Sequence, residues 1–323
     1  MEDPKLQTIP NVLIKLAELL GTEVKSRRLA IPEKYGKGYC TGFVFNEHIR
    51  MLISNYILNE DVIVENQEIN ASKKTIFFKF QNIFPEIKTE LSIKNLMGMP
   101  SVLIATSRMN TDEVISIHTN TSTINIEIDA DYLSGLLDFR GESPLLESLL
   151  QNTQPLLFEQ MVFPSLQKIV DEIINQTVGV TFELFFLRIK AEELLCQLLM
   201  ELEKRDERRL YALNICDIQA IYKVKEQIFV NFGKPPVIKE LSIIANMSPT
   251  KLKVLFKQIF GNSIFNYYQE FRMKEAARLL KENKLSVSDV GYQMGFTNLS
   301  HFSRVFEEHI GMKPKQYSRF SFN

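Results

Sequence analysis

A repeated pattern near the C-terminal end of the chain restricts the fold more than any other feature of the sequence. Between residues 237 and 319, a pair of amphipathic helices joined by a tight turn is predicted twice. In the first copy, Ser248 is placed to cap the second helix through its hydroxyl group. In the second copy, Gly295 permits the turn before the second helix. A long helix over residues 263–283 joins the copies, so we predict an all-α domain with two helix-turn-helix units.

The distance between the two copies matches the geometry of a DNA duplex. Asn298, at the start of the last helix of the second copy, lies 50 residues after Ser248. A joining helix of about 20 residues is on the order of 30 Å long, close to the roughly 34 Å of one DNA turn. Two helices held that far apart can enter successive major grooves. The predicted partner of this region is therefore double-stranded DNA.

The side chains predicted to face DNA lie opposite the apolar stripe of each recognition helix. They are Thr250, Lys251, Lys253 and Lys257 in the first copy, and Asn298, Ser300, His301 and Arg304 in the second. Lys253 is central and can reach either guanine or phosphate, and the guanidinium of Arg304 suits bidentate contact with either group. Lys251 and Lys257 are expected to contact the phosphate backbone.

The last third of the chain resembles the DNA-binding domain of AraC/XylS-type transcriptional regulators. The runs FRMKEAARLL and GFTNLSHFSRVFEEHIGMKPKQYSRF carry the resemblance, at Ala276, Leu279, Leu280, Gly295, Phe296, Phe302, Arg304, Phe306, Gly311, Pro314 and Tyr317. The chain departs from the family at Glu307 and Glu308, where basic residues are usual, and at Gly291, where alanine is common. The resemblance implies a sequence-specific regulator, commonly an activator, and an activator would have RNA polymerase as a partner.

Residues 38–128 have the composition and spacing typical of β-strands. Short runs rich in Ile, Val, Phe and Thr recur about every ten residues between turn residues, which is typical of a sandwich or small barrel. The resemblance implies a cupin-like or jelly-roll domain that binds a small-molecule effector, whose pocket residues the sequence does not identify. A barrel filled by its own core is the alternative, since aromatic residues such as Phe78 and Phe80 are more often core than pocket lining.

Helical periodicity returns after residue 131. Ser143 and Pro144 predict a helix start, and further helices are expected over residues 164–175 and 181–204. An apolar stripe on the last of these is read in two ways, as a cover for the barrel or as a homodimerisation helix, and the resemblance supports the second reading. The charged run at residues 203–214 is read as a linker.

These elements define the predicted organisation of the chain. The fold class is α+β, with a β-rich cupin-like/jelly-roll domain and its C-terminal helices followed by an all-α double helix-turn-helix domain. We expect an effector-binding and dimerisation domain over residues 1–205, a linker over 206–215 and an AraC-type DNA-binding domain over 216–323. Residues 216–323 contain 16 Lys and Arg against 9 Asp and Glu. Their net charge of +7 favours phosphate through counterion release.

Several classes of function are disfavoured. His48 and His118 are the only histidines before residue 300 and form no ligand cluster, so neither a metal nor another cofactor is expected. The S-x-x-K match at Ser248–Lys251 lacks the other β-lactamase motifs, and no enzyme is predicted. The three cysteines are expected to be reduced. No apolar run is long enough to span a membrane, and the acidic N-terminal sequence indicates a cytoplasmic protein.

Two hypotheses follow from the sequence. In the first, the chain is a DNA-binding transcription regulator, an activator in the commonest case, controlled by a small molecule in its N-terminal domain. In the alternative, the same DNA-binding regulator has no small ligand and a protein partner controls it through the N-terminal domain. Ligand binding to the folded chain would separate them, because a ligand that binds only the folded state raises the melting temperature.

Overall fold

The computed structural model describes residues 9–60, 74–84, 100–107, 120–138, 141, 143–175, 177–205, 210–229, 233–282 and 285–320. Two compact units divide the chain, Met1–Ile215 and Cys216–Asn323. None of the helices in these described ranges is both long enough and apolar enough to cross a membrane.

The described strands of the first unit form one antiparallel sheet. They are β1 (Arg28–Ala30), β2 (Gly36–Val44), β3 (Ile49–Leu58), β4 (Thr75–Gln81), β5 (Ser101–Thr106), β6 (Asn120–Asp129) and β7 (Leu157–Met161). Their order in the sheet is β1-β2-β3-β6-β4-β5-β7. Strand β6 therefore lies between β3 and β4, with Ile124 directly opposite both Ile53 and Phe80.

One face of the sheet forms the main hydrophobic core. Side chains alternate between the two faces of a strand, and Ile76, Phe78 and Phe80 of β4 all point to this face and are buried. Four helices cover it, namely α2 (Ala130–Leu136), α3 (Pro144–Gln151), α4 (Pro164–Asn175) and α5 (Val180–Glu203). Phe78 and Phe80 of β4 thus belong to the core, which is the role that the sequence favoured for them over pocket lining.

Helix α1 (Asn11–Leu19) packs on the opposite face at the β1–β3 end of the sheet. Leu13 and Ala17 of α1 join Leu29, Cys40 and Leu58 in a second apolar cluster. Burial raises the pKa of the Cys40 thiol to about 11, because the thiolate loses its solvation there. Cys40 is therefore an unreactive core residue at neutral pH.

The α+β class is confirmed, with an antiparallel sheet and covering helices followed by a helical unit. Strand β3 matches the predicted run at residues 49–58, and α4 matches the helix predicted over residues 164–175. The run at residues 113–119, which includes His118, lies outside the described residues. Cupin-like or jelly-roll closure stays a prediction, since the described strands belong to a single sheet.

Helix α5 has two apolar faces. The predicted stripe, which includes Leu187, Ala191, Leu194 and Leu198, is buried against the sheet and its neighbouring helices. Another set of apolar side chains on the same helix is exposed, namely Phe182, Phe185, Ile189, Cys196 and Met200. We call this set the outer stripe of α5. The covering role thus belongs to the predicted stripe, and the outer stripe is the part of α5 left open to a partner.

The end of the predicted linker is packed on the first unit. The backbone N–H of Leu213 donates to the Pro155 carbonyl at 3.0 Å, and the Leu213 side chain is buried. Arg205, just after α5, donates to the Glu159 carbonyl at 2.7 Å. Residues 206–209 lie outside the described residues, and the linker over residues 206–215 stays a prediction.

The second unit is built from helices of the predicted order. They are α6 (Ile215–Phe229), α7 (Ile238–Ala245), α8 (Pro249–Phe260), α9 (Ile264–Glu282), α10 (Val287–Gln293), α11 (Leu299–Ile310) and α12 (Pro314–Phe320). Helices α7 and α8 form the first helix-turn-helix unit, and α10 and α11 form the second. Helix α9 joins them over 19 residues, or about 28 Å at 1.5 Å per residue.

Candidate nucleic-acid interface

The first recognition helix, α8, begins and ends where its sequence dictates. The Ser248 hydroxyl accepts a hydrogen bond from the Lys251 backbone N–H at 3.3 Å, and Pro249 occupies the first helical position. The helix ends at Gly261, whose φ of 72° is left-handed, a conformation that glycine adopts without strain. Leu252, Leu255, Phe256 and Ile259 are buried against the unit. The opposite side of α8 is therefore free to face DNA.

The exposed side of α8 includes an apolar residue that was not predicted to face DNA. Thr250, Lys253 and Lys257 are exposed as predicted, and Val254 between them is 40% exposed. Positions 250, 253, 254 and 257 share one helix face. A valine there can contact the methyl group of thymine in the major groove. Val254 would have been found by following the helical spacing from Thr250 without restricting the search to polar residues.

Lys251 has a partner within the protein. Its Nζ lies 2.8 Å from Oδ1 of Asp217, in the first turn of α6. The Lys251 side chain is half exposed while that of Asp217 is largely covered. This ion pair attaches α8 to α6, so Lys251 helps to position α8. Its contact with phosphate stays a prediction.

The second recognition helix, α11, is capped by one of the predicted DNA-contacting residues. Asn298 Oδ1 accepts from the backbone N–H groups of Ser300 at 2.9 Å and His301 at 3.1 Å. Phe302 and Phe306 on the other side of α11 are fully buried. Because its oxygen caps the helix, Asn298 can offer DNA only its amide N–H groups. Ser300 is exposed beside it.

His301 and Arg304 lie one turn apart on the exposed side of α11. The His301 ring stands edge-on to Phe296, with 5.5 Å between ring centroids. The Arg304 side chain is 71% exposed, and its Nε is 3.9 Å from Glu308 Oε1. A surface pair at that distance contributes little stability, so the Arg304 guanidinium is available for guanine or phosphate.

Helix α9 holds the turn of the second helix-turn-helix unit in place through a buried arginine. Arg272 Nε donates to the Met294 carbonyl at 2.6 Å, and the Arg272 guanidinium carbon lies 3.9 Å from the centre of the Phe296 ring. Burial lowers the pKa of Arg272 because the charged form loses water. The hydrogen bond and the ring offset this cost in part. Arg272 therefore holds the turn between α10 and α11 against the joining helix.

An aromatic cluster holds α8 at the other end of α9. The Phe256 and Tyr267 rings meet edge-to-face with centroids 5.4 Å apart, and Phe229 stacks on Phe271 with centroids 3.9 Å apart. These four side chains come from α6, α8 and α9 and are all buried. Packing of this kind is rigid. Both recognition helices, α8 and α11, are therefore fixed to the joining helix α9.

The two recognition helices differ in charge. Helix α8 carries Lys251, Lys253 and Lys257 and no acidic residue, whereas α11 carries Arg304 together with Glu307 and Glu308. Both glutamates are exposed. Phosphate attraction is consequently stronger at α8. Within the described residues, no group of three or more His, Cys, Asp or Glu could hold a metal ion.

Comparison with known proteins identifies this arrangement. A family model described as "Helix-turn-helix domain" matches residues 241–319. The HTH-type transcriptional regulator GlxA of Rhizobium meliloti is 29% identical over 102 residues, covering 32% of each chain. The arabinose operon regulatory protein of Escherichia coli is 32% identical over 71 residues, 22% of this chain and 24% of that protein. The C-terminal unit is an AraC-type DNA-binding domain.

Solved structures include similar domains. A probable AraC family regulator from Rhodopseudomonas palustris is 26% identical, with a TM-score of 0.29, and the alignment covers 32% of this chain and 96% of that one. The chain spans about a third or less of the length of the GlxA and arabinose operon regulators it matches.

Proposed function

We propose that this chain is a sequence-specific DNA-binding transcription regulator whose two recognition helices read successive major grooves. The observation that carries the proposal is the pair of capped helices, α8 and α11, fixed to the single joining helix α9. The length of α9, about 28 Å, suits grooves separated by one helical turn. The helix-turn-helix family match over residues 241–319 supports the same conclusion.

The roles of the exposed residues follow from their chemistry. Lys253 and Arg304 are the base-reading candidates, because each can donate to guanine O6 and N7 in the major groove. Thr250, Ser300, His301 and the Asn298 amide add polar contacts beside them. Lys257 contacts phosphate and sets the register of α8. The net charge of +7 over residues 216–323 makes affinity fall steeply with salt.

A second copy of the chain is the proposed partner of the outer stripe of α5. Phe182, Phe185, Ile189, Cys196 and Met200 are separated by three, four, seven and four residues. That spacing follows the 3.5-residue repeat of a helix packed along another helix. An exposed apolar stripe of this length is unfavourable in water. Pairing of two α5 helices would bury both stripes and bring two AraC-type domains to one DNA site.

Control by a small molecule completes the proposal. An effector bound in the first unit would change the population of arrangements in which two AraC-type domains reach their half-sites together. Activation through RNA polymerase is the expected outcome. Control by a protein partner is the alternative, and it requires the first unit to bind no small molecule.

Selection of binding sites from random duplex DNA by the full chain tests the proposal. We expect an enriched site in which two short conserved segments lie about 10 base pairs apart within each half. Lys253→Ala should relax sequence preference in one segment and Arg304→Ala in the other. Lys223→Ala, an exposed change on α6, is the matched control and should leave preference intact. Selection that enriches no sequence would overturn the proposal.

A further inference from the structure

A small cavity lies between the β1–β3 end of the sheet and helices α4 and α5. Its volume is about 290 Å³, near the lower end of the range for small-molecule sites. The inner wall is apolar and is formed by Phe43, Ile53, Ile173, Phe186 and Leu187. All five of these side chains belong to or pack against the main core. The cavity can therefore take the apolar body of a small molecule.

An arginine lies at the polar side of this cavity. The guanidinium carbon of Arg28 is 3.6 Å from the centre of the Tyr39 ring, and both residues line the cavity. Stacking uses the flat face of the guanidinium and leaves its N–H edges for a planar anion. Thr41 is the direct cross-strand neighbour of Arg28 and places a hydroxyl donor on the same wall. In the described part of the chain, no carboxylate pairs with Arg28.

The acidic residue of the wall is already neutralised. Glu183 Oε2 lies 2.9 Å from Nη1 of Arg27, and this ion pair connects the residue before β1 to the first turn of α5. Arg28 therefore remains the uncompensated charge of the cavity lining. A positive group beside an apolar wall selects for an anion with an apolar body.

We propose that this cavity binds a small monocarboxylate with an aliphatic or aromatic body. The carboxylate lies against the N–H edge of Arg28 and the Thr41 hydroxyl, and the body packs on Phe43, Ile53 and Leu187. The proposed site assigns a chemical class to the effector. The effect of carboxylate binding on regulation rests on the function proposed above. The binding itself does not depend on DNA.

Helix α5 connects the cavity to the outer stripe. Glu183, Phe186 and Leu187 line the cavity from the first two turns of α5. Phe182 and Phe185 extend from the same two turns into solvent. A bound carboxylate adds packing to this segment and reduces its fluctuations, because local stability rises with buried contacts. Occupancy of the cavity consequently favours the α5 geometry that pairs with a second copy.

Titration of the full chain with sodium octanoate and sodium benzoate tests the assignment, with 1-octanol and benzyl alcohol as neutral controls. Saturation-transfer NMR and the melting temperature report binding. At least one carboxylate should bind saturably and more tightly than its alcohol. Arg28→Gln should weaken that binding about tenfold, the scale of one charge-assisted hydrogen bond. Val178→Trp, which fills the cavity from its rim, should abolish it.

Lys37→Gln is the matched control, since Lys37 is an exposed cation on β2 outside the cavity lining. It should leave carboxylate affinity unchanged. Equal binding of acid and alcohol, or full affinity in Arg28→Gln or Val178→Trp, would overturn the assignment. So would a lack of binding by both carboxylates.

Measurements of DNA affinity and oligomeric state with and without the carboxylate separate this inference from the proposed function. Carboxylate binding through Arg28 in a chain that binds no specific DNA supports the site and overturns the proposed regulator. Binding that changes neither DNA affinity nor oligomeric state overturns the connection through α5.

Discussion

Gly295 lies directly against the backbone of Gly233. A Cβ atom built on Gly295 would be 2.5 Å from the Gly233 Cα and 2.6 Å from its carbonyl oxygen. Gly295 is in the turn between α10 and α11, and Gly233 is in the segment that precedes α7. The turn of the second helix-turn-helix unit therefore packs against the segment that leads into the first one. Only a residue without a side chain fits at position 295.

Gly295→Ala should destabilise the AraC-type domain strongly. The left-handed φ of 76° alone costs a β-carbon about 1–2 kcal/mol, and the contact with Gly233 backbone adds to it. Gly311→Ala is the matched control, because Gly311 has a φ of 80° and open space around its Cβ position. Urea unfolding measures the free energy of unfolding of both variants, and the difference between them is the contribution of the contact with Gly233. If Gly295→Ala and Gly311→Ala lower the free energy of unfolding equally, the close contact between Gly295 and Gly233 contributes nothing to the effect.

Lys251 and Lys253 should differ in their contribution to DNA binding. Because Lys251 is paired with Asp217 at 2.8 Å, Lys251→Ala is expected to change the salt dependence of DNA affinity less than Lys253→Ala, which should reduce the slope of log K against log salt by about one. Lys251→Ala should also lower stability by up to about 1 kcal/mol. Filter binding across a salt series checks both. A larger slope change for Lys251→Ala would show that the ion pair with Asp217 does not reduce the charge that Lys251 offers to DNA.

Val254 should read a thymine methyl group. Replacing one thymine of the selected site by deoxyuridine removes only that methyl, so the intact protein should lose about 1 kcal/mol of binding free energy at one position. In Val254→Ala the same replacement should cost much less. Thymine positions elsewhere in the site provide the control. If every position responds alike in both proteins, Val254 does not face the groove.

Ile189→Glu should dissociate the proposed homodimer. Ile189 is at the middle of the outer stripe of α5 and is 45% exposed, so the change leaves the buried core stripe untouched. Leu136→Glu, at an exposed apolar position on α2, is the control and should have no effect. Sedimentation velocity of the full chain measures the outcome. A dimer that survives Ile189→Glu must use another surface.

Local signals made the second unit predictable from the sequence. Ser248 was predicted as a helix cap, and its hydrogen bond reaches only three residues along the chain. The Asn298 cap is equally local, although Asn298 was predicted only to contact DNA. Strands such as β3 were predicted for a similar reason, because alternation within one strand reflects its two faces.

Contacts between distant segments were not predictable in the same way. Lys251 appears in the sequence as a surface cation, and its partner Asp217 lies 34 residues away. Periodicity identified the stripe of α5 that includes Leu194, but it did not identify the outer stripe that includes Phe185. Only the packed sheet decides which stripe is covered. The same limit applies to the cavity at Arg28, which three strands and two helices form together.

The central position of β6 delays assembly of the sheet until β6 has been synthesised. Ile124 pairs with Ile53, 71 residues earlier, so the middle of the sheet cannot form until β6 has left the ribosome. Closing such long loops is slow, whereas the second unit is built from neighbouring helices and local contacts that form quickly. A nascent chain stopped before Asn120 would expose the unpaired edges of β3 and β4, and edges of this kind recruit chaperones and promote aggregation.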